Sequence, residues 1–202
     1  MTSPFIVAPV VEGQGDVAAL PVLLRRITAA IDPSRPVEIL QPVRSHRSKM
    51  TNTSEAERYL ALAMAKLGAA DGAVLVLLDA DDDCAATLGP ELLGVCAAIR
   101  PDVAVSVVLA VAEFEAWFLA AAPSLRDRRG LPHDLEAPED PESIRDAKGW
   151  LRQRRTDGLG YSPTTDQPAL AALFDLDAAR AGAPSFDKLW RDVERLMAET
   201  ST

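Results

Sequence analysis

The stretch Ala73–Asp83, AVLVLLDADDD, decides how the chain is read. Branched apolar residues, Val74–Leu78, run straight into the carboxylates Asp79, Asp81, Asp82 and Asp83. The run is too short and too β-branched for a buried helix, so it predicts a strand covered on both faces. If the pleat continues, alternation turns Asp79, Asp81 and Asp83 to one side. Carboxylates this close repel one another unless a cation or a raised pKa relieves them. Mg²⁺ (or Mn²⁺) suits the pattern, because a hard ion takes oxygen ligands and keeps waters that a phosphate can replace. The plainer role for any single aspartate here is a helix cap, with Asp82 or Asp83 accepting backbone N–H groups. As a group, the four point to a metal.

Outward from this centre, apolar runs alternate with helical patterns. Phe5–Val11 predicts a first strand, followed by Glu12-Gly13-Gln14-Gly15-Asp16 and a helix from about Asp16 to Ile31. Gly13 and Gly15 allow a tight turn or a close backbone approach to a ligand. Pro21 should kink that helix or reset its start. The turn is neither a P-loop nor a full G-x-G-x-x-G fingerprint. Val37–Val43 predicts a second strand, leading into the basic run Arg44-Ser45-His46-Arg47-Ser48-Lys49. That run is either a solvated loop or a phosphate-contact loop carried by Arg44, Arg47 and Lys49 at a strand's carboxyl end. Ser54 with Glu57 reads as a capping box before a helix Glu55–Leu67, with Gly68 as its stop.

On the other side of the acidic cluster, Pro90–Ile99 predicts a helix with Pro90 in its first turn. Val103–Val111 predicts a fourth strand that enters Glu113-Phe114-Glu115-Ala116-Trp117-Phe118. Glu113 could serve the dipole of the following helix or add a carboxylate to the same edge of the sheet. Phe114, Trp117 and Phe118 fall at helical spacing and suit the core. From Pro123 to Pro141 the composition predicts a long surface connection. Helices are expected at about Pro141–Arg155, Gln167–Phe174 and Ser185–Glu199, the last with Ser185 as N-cap. The basic residues Lys148, Arg152, Arg154 and Arg155 could contact substrate, though a charged solvent face is the simpler single explanation.

The chain has 202 residues, 48% of them hydrophobic, and a net charge of −9. That size suits a 1–122 α/β core with a mostly helical 123–202 extension packed on it. The acidic balance argues against a protein that coats nucleic acid, but not against phosphate chemistry through a metal. The two cysteines, Cys84 and Cys96, form no C-x-x-C, and with only two histidines neither zinc nor a disulfide framework is expected. The N-terminus is a poor signal peptide, and Val103–Ala112 is too short to span a bilayer. A cytoplasmic protein without a membrane partner is expected.

Strands alternating with helices predict an α/β three-layer sandwich with a mainly parallel, four-stranded, Rossmann-like sheet. Right-handed crossovers place all strand carboxyl ends on one edge. Glu12, the Asp79–Asp83 cluster and Glu113 each follow a strand, so they should share one crevice. Strand order is not readable, but an order with the first and third strands adjacent would set Glu12 against Asp79.

A Glu-Gly turn after the first strand and Asp-x-Asp after a later one resemble the Toprim domain of topoisomerases, primases, OLD-type nucleases and recombination proteins. Glu113-Phe114-Glu115-Ala116-Trp117 and the tail Tyr161…Pro184-Ser185-Phe186 resemble a family of small stand-alone bacterial proteins, domain of unknown function 4276. The resemblance covers nearly the whole chain. It implies Glu12 as general acid or base, with Asp79, Asp81 and Asp83 as Mg²⁺ ligands. Glu113 and Glu115 match the smaller family's pattern and form a candidate additional acidic site. The chain lacks a topoisomerase's active-site tyrosine region, so strand passage is not implied.

Two classes of function follow. One is a Mg²⁺-dependent, nuclease-like enzyme acting on nucleic acid or another phosphate-bearing substrate. The other is a non-catalytic module that binds a partner protein or nucleotide, for instance in a bacterial defence system. A third, weaker reading makes Asp79 the nucleophile of a phosphatase or phospho-acceptor.

Overall fold

In the computed structural model, which describes residues 4–46, 50, 53–80 and 85–199, the apolar runs form one parallel sheet. Its strands are β1 (Phe5–Val11), β2 (Val37–Ile39), β3 (Val43–Arg44), β4 (Gly72–Asp79) and β5 (Ala104–Ala110). The order is β2-β1-β4-β5, with β3 also paired to β1. The second expected strand is therefore split in two. Its register jumps from Val7↔Ile39 to Val10↔Val43, so the β2–β3 side carries one extra residue. Pro42 lies in that bulge, where a residue without an N–H costs no ladder bond.

Alternation along the strands divides the core into two layers. Phe5, Val7, Val11, Ala73, Leu75 and Leu77 face one hydrophobic cluster, and Ala8, Val10, Val74, Val76 and Leu78 face the other. Helices α2 (Thr53–Leu67) and α3 (Ala85–Ile99) cover the second face. The first face is covered by α1 (Gln14–Ile31) together with the C-terminal elements. The result is a three-layer α/β sandwich with C-terminal helices, as the sequence predicts.

The C-terminal part is α4 (Ala116–Ala120), 3₁₀ turns at Ala122–Leu125 and Pro141–Ser143, α5 (Ala147–Arg154), α6 (Pro163–Ala171), α7 (Leu176–Gly182) and α8 (Pro184–Glu199). The rings of Phe114, Trp117, Phe118, Phe174 and Phe186 contact one another at centroid distances of 4.6–5.5 Å. Such tilted and edge-on contacts lock α4 to α8 and to the segment between α6 and α7. Helix α8 also covers the outer edge of β5. Lys188 Nζ donates to Val107 O at 3.0 Å, and Arg195 donates to Val105 O at 3.4 Å. An edge strand guarded in this way is a poor template for aggregation.

Several expected boundaries shift. Pro21 and Pro90 lie inside α1 and α3 rather than at a start. Ser54 lies within α2, not at its cap. The expected helix 141–155 begins only at Ala147, where Asp146 caps Gly149 N–H at 2.7 Å. Ser185 sits in the first turn of α8, and its hydroxyl serves Trp117 Nε1 at 2.8 Å instead of capping. Gly68 does end α2, with φ 65°.

The close approach that Gly15 allows is to the chain itself. A Cβ there would strike Gln167 Oε1 and come within 2.8 Å of Pro163 O, the start of α6. Gly15→Ala is expected to lower stability by about 1–3 kcal/mol in urea unfolding, because backbone must move. Gly94→Ala, with nothing within 4 Å of the new methyl, should raise it by about 0.5–1 kcal/mol.

Candidate functional site

The parallel register of β1 and β4 ends at Val11↔Leu77, where β1 gives way to the Glu12–Asp16 turn, and Asp16 of that turn acts electrostatically on Asp79. Neighbouring strands stand about 4.8 Å apart. The Glu12–Asp16 turn is thus set against the carboxyl end of β4. Asp79 in turn pairs with Ala110, the last residue of β5. Beyond β5 the chain reverses sharply: Glu113 N–H donates to Val111 O at 3.0 Å across Ala112, whose φ is 59°. A non-glycine residue held in this region stores strain, and such turns gather at functional sites. The reversal aims Phe114 N–H at Asp79 Oδ1, 2.9 Å away.

Three residues from the C-terminal segment complete the cluster. Lys148, on α5, donates through Nζ to Glu113 Oε1 at 2.8 Å and through its backbone N–H to Glu113 Oε2 at 3.1 Å. The same ammonium lies 3.3 Å from Glu115 Oε2. Tyr161 OH donates to Glu115 Oε1 at 2.9 Å. On the α1 side, Asp16 accepts from Gly13 N–H at 2.7 Å and from Gln167 Nε2 at 2.5 Å. Glu115 is fully buried, and its Oε2 accepts no hydrogen bond.

Burial and like charge dominate the electrostatics. Burial pushes Asp79 well above the usual carboxylate range, and the Asp16 carboxylate adds to it. Lys148 and the Phe114 N–H oppose the shift, while Glu115 reinforces it. Burial likewise lifts Glu115 to about 7, against the pull of Lys148 and Tyr161. Burial disfavours the charge of Lys148, but Glu115, Glu113 and Asp79 together hold it above the ordinary lysine value. Tyr161 is raised by burial and by its carboxylate neighbours, so it stays a hydrogen-bond donor.

The sequence-predicted residues fare unequally. Asp79, Glu113 and Glu115 come together, and Glu12 stands on the neighbouring turn. Asp81 and Asp83 lie outside the described residues, as do Arg47 and Lys49. Arg44 braces the turn, donating to Glu12 O and to Gln14 Oε1, each at 3.1 Å. Lys148, expected on a solvent face, points into the site instead. Arg155 is also turned inward, 3.1 Å from the buried Asp166. Asp16 and Gln167 carried no signal beyond helix starts. Among the described residues, no three histidine, cysteine or carboxylate side chains stand grouped to hold a metal ion.

A parallel α/β sandwich with a carboxylate-rich, lysine-bridged sheet edge is the class that this fold and site define. The chain belongs to the family described as domain of unknown function 4276, which matches residues 11–194. The match runs from the last residue of β1 into α8, so it spans every element that contributes to the edge. Comparison with curated proteins and with solved structures finds no match. Among the described residues, no helix is long and apolar enough to cross a membrane.

A carboxyl whose folded pKa is raised stabilises the fold fully below its unfolded value and loses that contribution as pH rises through the folded one. For Glu115 the window runs from about 4.5 to about 7, a loss of roughly 3 kcal/mol, and Asp79 acts with the same sign. The melting temperature of chelator-treated protein should therefore fall between pH 5 and pH 7.5. Glu115→Gln should flatten that slope; an equally steep slope in the variant would remove Glu115 as its source.

Proposed function

We propose that the protein is a Mg²⁺- or Mn²⁺-dependent enzyme acting on phosphodiesters, with nucleic acid as its substrate class. One observation carries this reading: adjacent, parallel β1 and β4 set the Glu12 turn beside Asp79, within a cluster of carboxylates that Lys148 only partly offsets. The same neighbourhood supports the resemblance to Toprim domains, whose Glu-Gly turn and Asp-x-Asp this chain shares.

The residues present fit a hard divalent ion. Every donor is oxygen; burial is the main cause of the raised proton affinity of Asp79, and the Asp16 and Glu115 carboxylates that add to it also favour a cation there. Glu115 Oε2 is buried without a hydrogen bond, and its counter-charge is the single Lys148 ammonium at 3.3 Å. Mg²⁺ is held by one or two carboxylates with waters filling its other positions, so three grouped side chains are not needed. Asp79 would hold the ion, with Asp81 and Asp83 as the further candidates. When bound, the ion would offset charge on a phosphate oxygen.

The chain's own residues supply the rest. Glu12 would move a proton to or from water or the leaving oxygen. Arg44 fixes the backbone of that turn through Glu12 O and Gln14. Phe114 N–H fixes one oxygen of Asp79, and no other hydrogen bond reaches that carboxylate from the described residues. Arg47 and Lys49, which follow β3 in sequence, are the candidate phosphate contacts. The alternative is a non-catalytic module that binds a partner protein or nucleotide.

Wild type should melt higher with Mg²⁺ or Mn²⁺, by the equivalent of about 2.7 kcal/mol at a hundred times Kd. Glu12→Gln should keep that shift and lose roughly a hundredfold or more in cleavage rate. Asp79→Asn should lose both. Wild type that binds metal yet leaves single- and double-stranded DNA and RNA intact with either ion would replace the enzyme reading with the module.

A further inference from the structure

We infer that the Lys148 ammonium occupies the position of a second divalent cation, so that the sheet edge takes one such ion and not two. The inference rests on the metal reading only for the first ion. Glu113 and Glu115 face one another across Lys148 Nζ, at 2.8 Å from Glu113 Oε1 and 3.3 Å from Glu115 Oε2. Two oxygens from two carboxylates converging on one cation form the kind of seat that Mg²⁺ or Mn²⁺ uses when waters complete its shell.

The seat is built rather than fortuitous. Both oxygens of Glu113 are spent on Lys148, one on its Nζ and the other on its backbone N–H. That clamps the carboxylate to the first turn of α5, which Asp146 caps through Gly149 N–H. Glu115 is fully buried, fixed at Oε1 by Tyr161, and presents Oε2 toward the ammonium without a hydrogen bond. A buried carboxylate oxygen left in that state calls for a cation at close range.

Lysine meets that demand with one charge on a tether. A divalent ion entering the same place would meet the ammonium's repulsion and would have to expel it. Lys148 is then a positioning residue. It holds Glu113 and Glu115 away from the Asp79 ion, and it keeps the Glu113–Phe114 turn in place to donate to Asp79. This also accounts for the lack of a three-ligand group among the described residues, since a lysine stands between the carboxylates.

The test counts ions on chelator-stripped full-length protein, by Mn²⁺ electron paramagnetic resonance and calorimetric titration, with fold followed by circular dichroism. Lys148→Met should bind one more Mn²⁺ per chain than wild type, and the extra ion should vanish in Lys148→Met/Glu113→Gln/Glu115→Gln. Glu113→Gln/Glu115→Gln with Lys148 intact should keep the wild-type count. If Lys148→Met is unfolded without metal, Mn²⁺ should restore its fold; failure at saturating Mn²⁺ would count against the inference. An equal count in wild type and Lys148→Met overturns it and leaves the Asp79 site standing. No ion in wild type and one in Lys148→Met upholds it and removes the Asp79 site. Loss of the wild-type ion in the double glutamine variant would show that the glutamates already hold it, and would also overturn the inference.

Discussion

The parallel ladder between β1 and β4 is the constraint on which the other features depend. It runs from Ile6↔Gly72 to Val11↔Leu77, in the middle of the sheet, with β2 and β3 on one side and β5 on the other. Both central strands are therefore covered on both faces, and their interiors hold nothing but apolar side chains. Polar chemistry is left to the strand ends. Because every strand is parallel, one end collects the chain that follows each strand: Glu12–Asp16 after β1, Ala80 after β4, and Glu113–Glu115 after β5. The location of the site is a consequence of topology before it is a consequence of any side chain.

Holding carboxylates at such an edge requires compensation, and much of it comes from far along the chain. Lys148, Tyr161 and Gln167 reach Glu113, Glu115 and Asp16 from the C-terminal segment. Their positions depend on the aromatic contacts that bind α4 to Phe174 and Phe186. The entry to α6 is fixed by Asp166, which accepts from Ser162 N–H and from Arg129, with Arg155 at 3.1 Å. Burial would raise the Asp166 carboxyl, but the Ser162 N–H and the two guanidinium groups keep it below the usual range. A buried acid with that many donors is satisfied and anchors its neighbours. Gln167, the next residue, is thereby placed on Asp16. Breaking one partner of this network would leave a buried charge unpaired, a far larger loss than any surface ion pair.

How much of this was legible in the sequence follows from the range of each signal. Strands such as Val74–Leu78 announce themselves because apolar run length and turn residues are local properties. The gathering of Glu12, Asp79 and Glu113 at one edge was legible too, since it needs only parallel strands. Boundaries were less so. Pro90 reads locally as a helix start, yet α3 begins at Ala85, and Ser185 reads as a cap but spends its hydroxyl on Trp117. Lys148 was read as surface because a lysine in a basic run carries no mark of its partner. Its partner Glu113 stands 35 residues away along the chain, beyond the reach of any local pattern. Asp16 and Gln167 were missed for a related reason, as they meet across 151 residues of chain.

The carboxylates of the edge differ in what they are free to do, and that difference gives the cluster its meaning. Asp16 has both oxygens engaged, by Gly13 N–H and by the Gln167 amide, so it acts as a fixed charge and not as a ligand. Glu113 has both oxygens on Lys148, and Glu115 is divided between Tyr161 and the same ammonium. Asp79 is held by a single backbone N–H among the described residues. It is also the one on which Asp16 and Glu115 act to raise its affinity for positive charge. A proton and a divalent cation compete for that same oxygen, so the neighbours that make Asp79 hard to ionise also make it a strong cation ligand once ionised. In a chain of net charge −9, the ion proposed at Asp79 would be where an approaching phosphate meets positive charge. The fixed carboxylates thus bear on Asp79, and the parallel sheet puts the turn that begins at Glu12 on the same edge.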